Sequence, residues 1–566
     1  MGKIKLLDTQ IINMIAAGEI VENISSVVKE LIENSIDANS TKIKIALKEY
    51  GFKEILVLDD GNGIERDDIS LSIMPHATSK VATKEDIFNI KSLGFRGEAL
   101  ACIAAVSTIT ITSSINGYSG YFCMFKAGEK AVEGITPLNK GTMIKVSNLF
   151  FNTPARLQNM QDGHIEYAYV KNIVAKFSLA YPKIAFELSM DDKKDFETFG
   201  SGDIKEVIQI NYGLEVAKKM YELSEQNSYF RIVGFISSPE ITRVNRNCIN
   251  IFVNNRLIYN KNIVEEIITS YNDLLMVGRF PIIILYINLD PRLVDVNVHP
   301  NKKSVRFSAE DNLLELIKTA VTRCLAMNKR STSIVNNLST SLFEEDETEQ
   351  VYQKEELDVK FQNVSLIEET KEDSNIANFK LIGRFLDTYI LAYFEDDFYM
   401  MDQHAVAERI NYEKIVSNLN EDPITYELLV AINLEFDTVD LAKINQKITT
   451  INDLGVFFDD FGHNTITIRK IPSWIKQGYE KEYLEEIIYK IINENFKTYM
   501  DFCVSTAKTI ACKKSIKART YVSDESITYL FYELSKCKDP YHCPHGRPSI
   551  IKYSKTDIEK MFKRIV

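Results

Sequence analysis

Residues 29–38 read Lys29-Glu30-Leu31-Ile32-Glu33-Asn34-Ser35-Ile36-Asp37-Ala38. Most of the architecture of the chain can be approached from this stretch. Across 26–38, Val27, Val28, Leu31, Ile32 and Ser35 fall on one face of a helix. Glu30 and Asn34, four residues apart, share a face of their own. A carboxylate placed there is suited to polarising an attacking water, and an amide oxygen to completing a Mg²⁺ shell otherwise made of phosphate and water. Two strands follow, near 42–47 and 54–58, and the second ends at the turn Asp59-Asp60-Gly61-Asn62-Gly63. Its glycines let backbone come close to a flat base. Taken singly, the helix pair reads as a solvated face and the turn as a turn.

Three later segments change that. His76-Ala77-Thr78-Ser79-Lys80 offers hydroxyls and a cation, and Leu93-Gly94-Phe95-Arg96-Gly97-Glu98-Ala99-Leu100 is a glycine-rich entry to a helix. Backbone N–H groups at such an entry hold phosphates. Gly141-Thr142 completes the set. In this order, ELIEN, DDGNGI, ATSK, GFRGEAL and GT resemble the GHKL ATPases. IAAGEIVENISSVVKELIENSIDA, SLGFRGEALACIAAVS, NLFFNTPAR and VDVNVHPNKKSVRF are similar, within that group, to the MutL mismatch-repair family, over most of residues 1–330. The resemblance implies that Glu30 is the general base for ATP hydrolysis and Asn34 the Mg²⁺ ligand. By the same resemblance Asp59 receives the adenine amino group, and Gly63 and Thr142 line that pocket. Thr78, Ser79, Lys80, Gly94, Phe95, Arg96 and Gly97 match lid and phosphate loops. Lys302 matches a lysine that reaches the γ-phosphate from a second domain, so that closure depends on the bound nucleotide. Two departures stand out: Asn39-Ser40 where the family usually has Gly-Ala, and Pro75 before His76 where an arginine is usual.

The bulk composition agrees with a multidomain soluble protein. At 566 residues, 45% hydrophobic and 26% charged, the chain is too long for one core. A formal charge of −12 gives no whole-chain attraction for nucleic acid, so any DNA contact must rest on local basic patches. No apolar run approaches the roughly 20 residues of a membrane span, and no signal peptide is expected at the start. The eight cysteines are scattered singly, as in reduced cytosolic protein. The expected location is cytoplasmic, nucleoid-associated in use.

One segment differs from the rest. Residues 331–378 are acidic and lack glycine and sustained periodicity, and so are expected to be a flexible linker. Before it, strands near 230–235, 249–253 and 282–287 and a helix near 262–273 begin afresh after about Tyr212. After it, 379–392 and 398–401 are strand-like and 404–419 helical. The expected plan is an α/β (α+β) multidomain chain. A GHKL ATPase α/β sandwich spans 1–211 and a ribosomal S5-like transducer domain 212–330, and the linker spans 331–378. An α+β dimerisation and endonuclease domain spans 379–566, with an inserted subdomain at about 425–501.

In the C-terminal part, Asp402-Gln403-His404-Ala405-Val406-Ala407-Glu408 and Cys543-Pro544-His545-Gly546-Arg547-Pro548 supply the carboxylates, imidazoles and thiolate from which a transition-metal site is made. His404 and Glu408 lie four apart on a helix, Asp402 just before it. Cys512 in Ala511-Cys512-Lys513 is placed to approach them. DQHAVAERINYE, ACK and CPHGRP resemble the endonuclease motifs of DNA-nicking MutL proteins. The resemblance implies that His404, Glu408, Cys543 and His545 bind Zn²⁺, and that Asp402 and Glu408 hold a catalytic Mn²⁺ or Mg²⁺. Lys513 stands where many relatives have arginine. Glu413, five residues from Glu408, points away from it and is structural by default. Tyr426-Glu427-Leu428-Leu429-Val430-Ala431 departs at both ends from the family's clamp-binding sequence, so sliding-clamp binding is expected to be weak or to lie elsewhere.

For double-stranded DNA the candidate contacts are Arg243, Arg246 and Arg256, by attraction to phosphate and without base specificity. The expected function is mismatch repair by a homodimer: ATP docks the N-terminal halves on DNA, and the metal site nicks the strand to be repaired after a MutS-type sensor finds the mismatch. Two rivals stay open, an ATP-gated DNA clamp with a purely structural metal, and another GHKL enzyme such as a topoisomerase subunit or kinase.

Overall fold

The computed structural model describes residues 17–18, 20–80, 92–94, 97–275, 278–295, 306–336, 375–386, 388–419, 425–453, 455–462, 464–472, 475, 480–494, 505, 507, 523–544, 546–562 and 564. Contacts divide the chain into two compact units: residues 1–338 with 435–446 and 461–465, and residues 339–434, 447–460 and 466–566.

The first unit begins with the expected helix, Ile24–Asp37, entered through Asn23, whose side chain accepts from Ser26 N–H at 2.9 Å. Its apolar stripe, Val27, Val28, Leu31 and Ile32, is fully buried. Asn39 leaves the helix at φ 58, a left-handed conformation that asparagine tolerates. Eight strands form the first sheet: β1 (Lys42–Lys48), β2 (Glu54–Asp59), β3 (Thr108–Ser114), β4 (Gly120–Lys126), β5 (Glu129–Thr136), β6 (Gly141–Ser147), β7 (Ala185–Met190) and β8 (Lys193–Glu197). Their order is β5-β4-β3-β6-β2-β1-β7-β8, antiparallel except where β7 joins β1. Alternate residues of β1, namely Ile43, Ile45 and Leu47, bury against the helix layer that includes Gly163–Ala180. β2 and β6 are neighbours, with Asp59 opposite Thr142, which brings the adenine-pocket candidates together from positions 83 residues apart.

A second sheet has its own core. β9 (Met220–Gln226), β10 (Phe230–Ser237), β12 (Ile249–Val253), β13 (Arg256–Ile258) and β15 (Ile283–Leu289) run in the order β13-β12-β15-β10-β9. The short strands β11 (Thr242–Arg243) and β14 (Phe280–Pro281) pair with each other, as do β16 (Val294–Asp295) and β17 (Arg306–Phe307). Helices Lys261–Ser270 and Glu310–Asn336 pack on the sheet through Ile263, Val264, Ile267, Leu313 and Ile317. The Ile204–Tyr212 helix joins the two domains. Its Val207 and Ile208 pack with Leu179 and Ala180 on one side and with Phe235, Phe252 and Ile284 of the second sheet on the other. The boundary expected at 211 therefore falls at the end of a helix that belongs to both cores. The last helix runs to Asn336, past the expected linker start at 331, because extending a formed helix by a turn costs little compared with nucleating one. The rest of the linker, up to the short helix Asn375–Asn378, lies outside the described residues.

The C-terminal unit is built on β18 (Lys380–Phe385), β19 (Tyr389–Phe394) and β20 (Asp397–Asp402), with β24 (Ile550–Tyr553) returning beside β20. Helices Gln403–Leu419 and Asp524–Leu534 cover it through Val406, Ile410, Ile527 and Phe531. The intervening chain forms its own sheet, β21 (Thr425–Glu435), β22 (Phe457–Gly462) and β23 (Thr465–Pro472), in the order β21-β23-β22. Helix Glu480–Asn493 follows it. Among the described residues no helix is long and apolar enough to cross a membrane.

Candidate functional site

The pocket candidate at the end of β2 is organised by one buried carboxylate. Asp59 is 7% exposed; its Oδ1 accepts from Gly61 N–H at 2.9 Å and Thr142 N–H at 3.3 Å, and its Oδ2 accepts from the Ser35 hydroxyl at 2.8 Å. Burial raises the Asp59 carboxyl above its ordinary range, and the hydrogen bonds from Gly61, Ser35, Thr142 and Ser40 oppose this without cancelling it. Ser113 extends the cluster, accepting from Ile64 N–H at 2.7 Å and lying 3.0 Å from the Thr142 hydroxyl. Gly63 adopts φ +78, and a Cβ there would stand 2.7 Å from the Ser114 carbonyl oxygen, so the turn tolerates no side chain.

The helix face carrying Glu30 and Asn34 is a chain of charges. Lys29 Nζ lies 3.0 Å from both Glu30 Oε1 and Glu33 Oε1. Burial works against the Lys29 ammonium, but Glu33 and Glu30 outweigh it and hold the lysine above its ordinary range. One turn on, Lys80 Nζ donates to Asn34 Oδ1 at 3.0 Å and to Asp37 Oδ2 at 2.5 Å. Asp37 also receives Leu93 N–H at 2.8 Å and Gly94 N–H at 3.0 Å. The lid candidates Thr78 and Ser79 are exposed, and Lys80 N–H donates to the Thr78 hydroxyl at 3.2 Å. His76 N–H donates to the Gly97 carbonyl at 3.1 Å. Gly97, at φ +62, sits where a Cβ would be 2.4 Å from the Ala77 carbonyl oxygen. The ATSK and GFRG segments are thus in contact. Phe95, Arg96 and Lys302 lie outside the described residues.

Sequence reasoning overlooked Asp37 and Lys29 in this site. Asp37 was legible, since 30, 34 and 37 follow the spacing of one helix face. Lys29 was legible too, four residues before Glu33 on the helix.

Of the DNA candidates, Arg243 on β11 donates to the Thr242 carbonyl at 3.2 Å, and the Arg246 guanidinium lies 5.0 Å from the centre of the Phe280 ring. Arg256 on β13 is committed to the carbonyls of Ser92 and Leu93, the latter at 3.2 Å, so a phosphate contact would require giving up both bonds.

In the C-terminal unit the first motif contacts the residues on either side of the second. Met401 pairs with Ile550, and Asp402 N–H donates to the Ser549 carbonyl at 3.0 Å. Asp402 Oδ1 caps the following helix, accepting from His404 N–H at 2.9 Å and Ala405 N–H at 3.1 Å. His404 Nε2 lies 3.4 Å from Glu408 Oε1, with the Glu408 side chain 6% exposed. Arg409 Nε donates to the His542 carbonyl at 2.5 Å, tying the helix to the loop before Cys543. That loop is a tight turn, with Cys543 N–H donating to Arg547 O at 2.8 Å, Gly546 N–H to Cys543 O at 2.9 Å, and the Cys543 side chain buried. Among the described residues no three of His, Cys, Asp and Glu are grouped to hold a metal. His545, Cys512 and Lys513 lie outside them. Tyr426–Ala431 lies on β21, where Val430 is exposed.

Glu413 bonds to the backbone that precedes the turn. Its carboxylate accepts from Lys538 N–H at 2.7 Å and Asp539 N–H at 3.3 Å, which steadies the segment leading into the Cys543 turn. Glu413→Ala removes this acceptor, so it should lower the stability of the C-terminal domain by about 0.5–1.5 kcal/mol, the net worth of a typical hydrogen bond. Thermal unfolding of the full chain would register this as a lower Tm for that domain's transition, and an unchanged Tm would rule the role out.

Three stretches of the chain match models of known families. Residues 22–140 match the model of a histidine kinase-, DNA gyrase B- and HSP90-like ATPase. Residues 208–326 match that of a DNA mismatch repair protein, C-terminal domain, and 382–522 that of a MutL C-terminal dimerisation domain. A DNA mismatch repair protein MutL from Geobacillus sp. (strain WCH70) is 39% identical, with 100% of each chain covered. Those of Anoxybacillus flavithermus, 38% identical with 100% of each covered, and Pediococcus pentosaceus, 36% identical with 100% of this chain and 98% of the relative covered, are similar in the same way.

Proposed function

The chain belongs to the MutL family of DNA mismatch repair proteins, and on that premise we propose that it binds and hydrolyses ATP at the Asp59 pocket and nicks DNA at the Asp402–Cys543 site. The observation that carries the first part is the buried Asp59 carboxylate beside the Gly63 turn, next to the helix that bears Glu30 and Asn34. Its charge is an acceptor for an adenine amino group. Asn34 Oδ1 and Asp37 Oδ2 already hold the Lys80 ammonium, so these oxygens suit a cation, and Asn34 would hold Mg²⁺. Bound there, Mg²⁺ would neutralise phosphate charge. Glu30 polarises the attacking water, and Lys302 closes on the γ-phosphate from the second domain. Nucleotide exchange then docks and separates the N-terminal halves of a homodimer on DNA, downstream of a MutS-type sensor.

For the nuclease, the thiolate, imidazole and carboxylate donors fit Zn²⁺, and the carboxylates fit Mn²⁺ or Mg²⁺. Asp402, His404, Glu408, Cys543 and His545 would hold them, and the bound ions would supply an activated water and charge stabilisation at the phosphodiester. Arg409 and Glu413 keep helix and turn together. A second reading, a DNA clamp with a structural metal, is favoured by the commitment of Asp402 Oδ1 to the helix cap.

Incubation of supercoiled plasmid with the pure chain and Mn²⁺ separates the two. Wild type converts the plasmid to relaxed circles, and Asp402→Asn lowers the rate at least about 10²-fold, as expected for loss of a metal-binding carboxylate. Absence of nicking by wild type with ATP, Zn²⁺ and a sliding clamp added would leave the clamp reading.

A further inference from the structure

Arg256 is where the second domain reaches the nucleotide pocket. It stands on β13, yet its guanidinium donates to the carbonyls of Ser92 and, at 3.2 Å, Leu93. These bonds span 164 and 163 residues of sequence. The opposite edge of the same segment is taken by Asp37, which accepts from Leu93 N–H at 2.8 Å and Gly94 N–H at 3.0 Å. Leu93, itself 6% exposed, is therefore gripped through its carbonyl by a cation from one domain and through its amide by a carboxylate from the other. Burial disfavours the guanidinium charge at this position, and the nearby charges of Glu33 and Asp37 oppose that effect. A long, charged side chain is held in such a place at a cost in solvation and rotamer freedom. The bonds that offset the cost all go to one loop.

We propose that Arg256 is a positioning residue for ATP: from the second domain it fixes the Ser92–Gly94 segment against the helix of Glu30 and Asn34, so that this segment is held in place before nucleotide arrives. The assignment rests on the ATP reading of the pocket. It makes the order of the phosphate loop depend on the seat of the second domain, because the donors to Ser92 and Leu93 move with β13. Both bonds come from one terminal guanidinium nitrogen, whose two N–H groups reach adjacent carbonyls. Arg256 touches no reacting atom, so its loss should show in binding of ATP more than in turnover.

The test uses full-length wild type, Arg256→Met and Arg256→Lys, each followed by amide hydrogen exchange without nucleotide and by steady-state ATP hydrolysis. In Arg256→Met the Leu93 and Gly94 amides exchange about tenfold faster or more, the scale of losing hydrogen bonds from a charged donor. Amides of β2 and β6 keep their protection, KM for ATP rises about tenfold, and kcat changes less than about threefold. Arg256→Lys falls between, and carries the test should Arg256→Met fail to fold. Unchanged exchange at Leu93 and Gly94 in the folded variants overturns the proposal. So does faster exchange spread evenly through both domains with kcat lowered and KM unchanged, the pattern of a merely structural residue. If wild type binds no ATP, the exchange arm still decides whether Arg256 holds the loop, and the ATP reading fails separately.

Discussion

Glu30→Gln lowers the turnover of ATP by about 10²- to 10⁴-fold, the usual contribution of a general base, while KM moves less than about threefold. The split follows from the position of the group. Glu30 lies on the helix face one turn before Asn34, and its carboxylate is held 3.0 Å from Lys29, so it is oriented by protein. Glutamine preserves volume and one acceptor oxygen but cannot accept a proton. Because Lys29 also bridges to Glu33 at 3.0 Å, the helix keeps a charge partner in the variant and its fold should persist. Steady-state hydrolysis, with binding of a non-hydrolysable ATP analogue alongside, measures the effect. A variant with at least one-third of wild-type turnover would remove Glu30 from the mechanism.

Asp59→Ala should abolish measurable ATP binding, a loss of at least about 10²-fold in affinity. The adenine amino group loses a charged acceptor, which lowers affinity; the buried donors on Ser35, Gly61 and Thr142 lose theirs, which lowers fold stability by roughly 1–3 kcal/mol for each group left unpaired. Asp59→Asn is milder for the fold, since it keeps the shape and one oxygen, but it presents an N–H₂ to a ligand N–H₂ and should bind as poorly. The pH response identifies the same group. Burial, only partly offset by its hydrogen bonds, raises the Asp59 carboxyl above its unfolded value. Over the window between the unfolded and the raised folded value the folded chain binds more protons, so Asp59 destabilises the fold above that window, and the penalty disappears as pH falls through it. ATP affinity runs the opposite way: it declines as pH falls through the raised value, because the protonated carboxyl loses its charge. Calorimetric titration with an ATP analogue between neutral and mildly acidic pH should show this decline in wild type. A flat profile in wild type would separate Asp59 from adenine recognition.

Much of the site can be read from spacing. The stripe of Val27, Val28, Leu31 and Ile32, the shared face of Glu30, Asn34 and Asp37, and the glycines of 59–63 follow local geometry, which a few consecutive residues determine. The pairing of His404 with Glu408 is of the same kind. So is the default structural reading of Glu413, five residues from Glu408. The partners of Glu413, in contrast, are backbone amides more than a hundred residues away, and no periodicity reports on them. Arg256 is the plainest case. In sequence it looks like a surface cation suited to DNA, and only the seating of β13 beside Ser92 and Leu93 turns it inward.

From its sequence alone the chain can be divided into an ATPase-like domain, a second α/β domain and a C-terminal domain, with the residue types and spacings of each site. Helix faces, strand alternation and glycine turns are properties of the covalent chain over one or two turns. Tertiary structure alone decided which groups meet. Sheet order puts Thr142 opposite Asp59, and Ser35 reaches the same carboxylate from the neighbouring helix. The pairing of β20 with β24 brings Asp402 beside the Cys543 turn, and the packing of the second domain gives Arg256 its loop. Those meetings depend on how whole surfaces bury one another, a balance summed over many contacts that no short segment carries by itself.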